Sequence, residues 1–92
     1  MIAVIERENE VRLGAEEKLV ALNILLVIYL HDQRYLDALK DIEELLNDLE
    51  MQEHREYLLL KQNEVRQVLT SLLNKRKPKL LQLIFDFFHN PA

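Results

Sequence analysis

The chain has 92 residues, of which 49% are hydrophobic and 30% charged, with a net charge of −4 and no cysteine. One domain fits that length, and a single glycine with two prolines argues against a turn-rich β fold and against a disordered tail. Disulfide stapling and thiolate-bound metal are excluded, and a pI near 5.3 opposes the basic footprint expected of a phosphate-binding surface. The expected class is all-α, a small antiparallel helical bundle of four or five helices spanning residues 1–92 as one domain.

In residues 1–13, Met1, Val4, Glu8 and Val11 share one helical face, while the run Ile2, Ala3, Val4, Ile5 suits an extended strand equally well. The segment is therefore expected as an arm or a short helix. Gly14, the sole glycine, is expected to end it through the left-handed capping conformation. Ala15, Glu16 and Glu17 then open a helix with acids in the first turn, where the helix dipole favours them.

From Leu19 to Leu30, LVALNILLVIYL, eleven apolar residues surround a single Asn23. A helix apolar all round has to be enclosed, so this segment is expected to be the axis of the bundle, ending near His31. It is too short for the roughly 20 residues that cross a bilayer. It follows Glu6, Glu8, Glu10, Glu16 and Glu17 rather than a basic leader, and no small-residue cleavage site comes after it. These features predict a buried helix of a cytoplasmic protein, with no membrane insertion. Asn23 is expected either as a satisfied core amide or as an amide that fixes register between associating helices.

Asp32 is the expected N-cap of the next helix, in which Tyr35, Ala38, Leu39, Ile42, Leu45, Leu46 and Leu49 recur at spacings of three and four. The opposite side carries Asp37, Asp41, Glu44 and Asp48. That acidic stripe reads first as a solvated face and second as a docking surface for a basic partner. A third helix is expected from His54 to Asn74, with Leu58, Val65, Val68, Leu69 and Leu72 turned inward, stopping where KRKP begins. Pro78 suits the first turn of a final helix that ends near Asn90, before Pro91.

In that last segment, Leu80, Leu81, Leu83, Ile84, Phe85, Phe87 and Phe88 cover most of a helix circumference, and all three phenylalanines of the chain lie there. Burying such a side chain fully contributes roughly 1.5 to 3 kcal/mol, so two outcomes are open. The segment closes the intramolecular core, or part of it forms a dimer or partner interface. The contact residues expected for the second outcome are Leu80, Leu81, Ile84, Phe85 and Phe88.

Charge is divided along the chain, with fourteen acids and six bases up to residue 56 and two acids and six bases after it, −8 against +4. Such a dipole folds on itself, pairs with another copy or offers each sign to a different partner. Asp37, Asp41, Glu44 and Asp48 on one side, and Lys75, Arg76, Lys77 and Lys79 on the other, are expected to steer association.

Leu22, Leu25, Tyr29, Tyr35, Ala38, Ile42 and Leu45 fall in the order and spacing that resembles a tetratricopeptide helix-turn-helix, over about residues 19–50. The resemblance implies that large residues of the first helix clasp Ala38 on the second, and it implies peptide or protein binding without catalysis. The chain departs from the pattern at Leu26 and Leu45, where the family has small residues, at Gln33 in place of a turn glycine, and at Glu50 in place of a proline. No second copy follows.

Residues equipped for chemistry are few. His31, His54 and His89 lie in different segments, and the only serine and threonine, Ser71 and Thr70, sit within a helix with no base near in sequence. Glu50 and His54 are one turn apart, but a di-metal bundle needs repeated carboxylates and Glu-x-x-His ligands on several helices. No catalytic residue, metal ligand or cofactor is expected. Lys61, Arg66 and the KRKPK segment form a small basic patch, which the helix dipole accounts for near a C-terminus. The function expected is a non-enzymatic protein-protein interaction module, an adaptor, chaperone or inhibitor, self-associating or binding another protein. The alternatives are an immunity or antitoxin-type protein blocking one target, and a small DNA- or RNA-binding regulator using KRKPK.

Overall fold

The computed structural model describes residues 1–89, with the side chains of all of these except 76–81, 88 and 89. The chain is an all-α bundle, and the described residues contain no strand. The elements are α1 (Ile2–Asn9), α2 (Ala15–His31), α3 (Tyr35–Leu46), a 3₁₀ helix (Leu49–His54) and α4 (Arg55–His89).

The first segment is a helix rather than an arm, and it is anchored by Ile2, which is buried. Its left-handed stop is at Glu10 (φ 53°), where the Val11 N–H reaches back to the Glu6 carbonyl at 3.0 Å. Gly14 is therefore not the terminator. It sits in extended conformation (φ −74°, ψ 172°) as the N-cap of α2. Its N–H donates to Glu17 Oε1 at 3.2 Å, which is half of a capping box, since glycine has no side chain to return the bond.

The turn between α2 and α3 also differs from expectation. Asp32 closes α2, its N–H donating to the Ile28 carbonyl at 3.0 Å, and Arg34 is the N-cap of α3. Gln33 between them takes the left-handed conformation (φ 59°), and the Arg34 N–H then reaches the Tyr29 carbonyl at 2.7 Å. An arginine cannot accept an amide hydrogen as a cap does. Its guanidinium instead pairs with Asp37 (2.8 Å) and lies 4.9 Å over the Tyr29 ring.

The core is built from Ile2 of α1, Leu22, Leu26 and Tyr29 of α2, Ala38, Ile42 and Leu45 of α3, Met51 of the 3₁₀ helix, and Leu58 and Val65 of α4. On α3 these residues lie at spacings of three and four, the expected amphipathic face. The 3₁₀ helix adds Met51, fully buried, as the corner that turns the chain into α4. Asp48 starts that corner by accepting the Glu50 N–H at 2.9 Å.

The largest departure is α4. The expected break at KRKP is absent, and one helix of 35 residues runs through Pro78. The proline removes one amide donor and crowds the preceding turn, but lysine, arginine, leucine and glutamine, all good helix formers, dominate both sides and no glycine intervenes. At 1.5 Å per residue a helix this long spans about 52 Å, whereas α2 and α3 reach about 25 and 18 Å. Among the described residues the last buried side chain of α4 is Val65, and every described side chain from residue 73 on is exposed. The molecule accordingly measures 57 × 28 × 21 Å with a radius of gyration of 17.9 Å, against about 12 Å for a compact chain of this size.

Candidate functional site

Most polar side chains singled out in the sequence are used within the fold. Asp41 is 4% exposed, which corrects its expected place on a solvated face. Its Oδ2 accepts the Tyr29 hydroxyl at 2.7 Å and its Oδ1 faces the Met1 amine at 3.1 Å. Glu44 shares that amine at 3.3 Å and accepts the Ala3 N–H at 3.3 Å. Burial, followed by the bond to Asp41, pushes the Tyr29 phenol up to about 12. Burial opposes charge on the Met1 amine, yet its bonds to Asp41 and Glu44 outweigh this and its pKa is raised.

Lys18 is the second buried charge, 6% exposed. Its Nζ donates to Asp48 Oδ2 at 2.6 Å and lies 3.7 Å from Glu50, while Arg12 also pairs with Glu50. The bond between Lys18 and Asp48 raises the lysine pKa and, with the Glu50 N–H, lowers that of Asp48. With Asp37 held by Arg34, every member of the acidic stripe has an intramolecular partner. Asn23 is satisfied inside the chain: its Nδ2 donates to Tyr57 Oη at 2.9 Å, and the Tyr57 hydroxyl donates to Asn23 Oδ1 at 3.1 Å, tying α2 to α4.

The histidines stay apart. His31 is exposed beside Asp32 at 3.1 Å, His54 is half-buried at the end of the 3₁₀ helix, and the side chain of His89 lies outside the described residues. Glu50 is held by Arg12 and Lys18 rather than turned to His54. Among the described residues there is no cluster of three or more metal-ligating side chains, and no helix long and apolar enough to cross a membrane. Lys75 is exposed; the side chains of Arg76, Lys77 and Lys79 lie outside the described residues.

The apolar surface is where the structure departs most from a closed bundle. Leu83 is 65% and Ile84 54% exposed, and Phe85 and Phe87 are exposed with them. Leu80, Leu81 and Phe88 have side chains outside the described residues. Of the two outcomes open for this segment, closure of the intramolecular core is corrected for these four residues, because α4 carries them past the ends of α2 and α3.

A second apolar surface was not expected. The supposedly enclosed α2 exposes Val20, Ile24, Val27 and Ile28, which share the helix face opposite Leu22, Leu26 and Tyr29; Val27 is 70% exposed. Leu13 and Ala21 border this stripe, and Glu16 and Glu17 lie at its N-terminal end. Periodicity could not reveal it, because a helix apolar on every side has no polar face to mark what stays outside. The available signal was arithmetic: the neighbouring segments were too few to surround it. A groove of about 390 Å³ between the α3 start and α4, lined by Tyr35, Leu36, Leu69, Leu72 and Leu73, adds to the uncovered surface.

Compared with known proteins, the chain matches no family model, no curated protein and no solved structure.

Proposed function

We propose that the chain is a non-enzymatic protein-binding module, of adaptor, chaperone or inhibitor type, that holds its partner through the C-terminal part of α4. The observation that carries this reading is the exposure of Leu83, Ile84, Phe85 and Phe87 on a helix that has left its own core. Contiguous exposed apolar surface marks an interaction site, and Leu83 and Ile84 carry it here. Ile84 together with the neighbouring positions Leu80, Leu81, Phe85 and Phe88 forms the contact set. Lys75, Arg76, Lys77 and Lys79 set its orientation by charge.

The hairpin of α2 and α3 supports a tetratricopeptide-type reading in one respect. Ala38 is fully buried in the same core cluster as Leu22, Tyr29 and Ile42, the place where the resemblance puts a clasped small residue. The acidic stripe contributes to docking less than its spacing implies, since its carboxylates are occupied internally.

The test is the double variant Leu83→Ser, Ile84→Ser. Helix content by circular dichroism is expected to remain, while association, measured as solution mass and as capture of protein from a native extract, falls at least about tenfold, the equivalent of about 1.4 kcal/mol. Association equal to that of the unaltered chain would refute the reading.

A further inference from the structure

The geometry points to a second copy of this chain as the occupant: the projecting end of α4 of one molecule lies on the exposed stripe of α2 of another, and the exchange is reciprocal. This rests on the protein-binding reading and names the partner of that same site. Three observations carry it.

The first is area. The chain exposes 7148 Å², whereas a compact monomer of 11.0 kDa exposes about 5,600 Å². The surplus of about 1,500 Å² per chain is about twice what one partner contributes to a standard interface of roughly 800 Å² a side. A reciprocal exchange, in which each copy gives one α4 end and receives another, has two such junctions and buries surface of that order on each chain.

The second is matched apolar spacing. Val20, Ile24 and Val27 recur at intervals of four and three on α2, and Leu80, Ile84 and Phe87 recur at the same intervals on α4. Two helices with stripes of this period pack along their lengths. Each stripe runs about 10 Å at 1.5 Å per residue, so neither outruns the other.

The third is charge. The exposed charges at the N-terminal end of the α2 stripe are acidic, Glu16 and Glu17, because Lys18 is buried against Asp48. The α4 segment is led by Lys75, Arg76, Lys77 and Lys79, with Asp86 its one acid. The two surfaces are opposite in sign, so each repels its own kind and attracts the other. Pairing of two α4 ends side by side in parallel would instead bring KRKPK against KRKPK.

The experiment is light scattering of the unaltered chain, of Ile24→Glu, of Val27→Glu and of Ile84→Glu, with circular dichroism on each. The expected mass is twice 11.0 kDa for the unaltered chain and a single chain mass for each variant, with helix content retained. Because the chain has no cysteine, a mixture of Ile24→Cys and Ile84→Cys chains joined by a bifunctional thiol reagent reports the junction directly. A mixed 24-to-84 product between chains is expected, in excess over products of either chain with itself. A doubled mass that persists in Ile24→Glu and Val27→Glu, or equal yields of all crosslinked products, overturns the exchange. A monomer whose α4 end captures a foreign protein overturns the second copy and leaves the protein-binding reading standing; a monomer that captures nothing removes both.

Discussion

The part of the molecule up to Val65 and the part of α4 beyond it are built from similar apolar content and obey different constraints. In the first, leucine, isoleucine and methionine are buried by three short helices and a corner, and the charged residues brought inside, Asp41 and Lys18, each meet partners. In the second, Leu83, Ile84, Phe85 and Phe87 stand exposed on a helix whose neighbours end some turns earlier. The difference teaches that hydrophobicity alone does not say where a side chain goes. Burial depends on whether another element of sufficient length lies alongside.

The sharpest break of that comparison is a pair of truncations. Leu58 has no exposed surface, and Leu58→Ala is expected to cost about 2 to 5 kcal/mol, the transfer loss plus the cavity left behind. Leu83→Ala removes the same atoms and is expected to shift folding stability by less than about 0.5 kcal/mol, measured by urea unfolding at a concentration where the chain is monomeric. Equal losses at the two positions would put Leu83 in the core.

Next in size is Pro78→Ala, which tests how continuous α4 is. Proline inside a helix is about 3 kcal/mol less favourable than alanine, so the exchange is expected to slow amide hydrogen exchange in residues 79–89 and to raise helix content. The melting temperature of the part up to Val65 is expected to stay unchanged, because every described side chain from residue 73 on is exposed.

Tyr29→Phe acts inside the first region. It leaves the buried Asp41 Oδ2 without its donor, an expected loss of about 1 to 3 kcal/mol. The pH dependence has a definite sign. A phenol raised from 10.0 to about 12 by folding favours the native state fully below pH 10, and that contribution is lost as pH rises through about 12. Lys18, also raised, loses its contribution above its ordinary value of 10.5. Asp48 is lowered from 3.8, so its contribution holds above that value and is lost as acid protonates it below. Between pH 10 and 12 the stability of Tyr29→Phe, measured by urea unfolding, is therefore expected to fall less steeply than that of the unaltered chain.

Much of the fold was legible in the sequence because it rests on local rules. The α3 face from Ala38 to Leu45 follows helical spacing, and α2 ends at His31 as its apolar run does. The pairing of Asn23 could be anticipated as a satisfied amide, although its partner Tyr57 lies 34 residues away and no local pattern points to it. The stretch through KRKP reads as a break if Pro78 is weighed alone, but the helix formers around it carry α4 through. Of the exposed apolar surface, the excess at the α4 end was legible in the sequence, with its exposure one of two open outcomes. The α2 stripe was not, since which side of an all-apolar helix stays uncovered depends on the number and length of its neighbours.

The smallest expected effect sharpens the reading of the first loop. A glycine needed for a left-handed turn is destabilised by any side chain, but Gly14 has φ −74°, which every residue adopts. A Cβ placed there meets Glu17 Oε1 at 3.4 Å, an ordinary contact. Serine would add the hydroxyl acceptor that the N-cap of α2 lacks and would restrict the unfolded chain. Gly14→Ser is therefore expected to stabilise the bundle by about 0.4 to 1 kcal/mol, seen as a higher urea midpoint. A loss of stability would return the left-handed role to Gly14 and take it from Glu10, whose φ of 53° makes Glu10→Gly the matching exchange, expected to raise stability by relieving the strain of a side chain in that region.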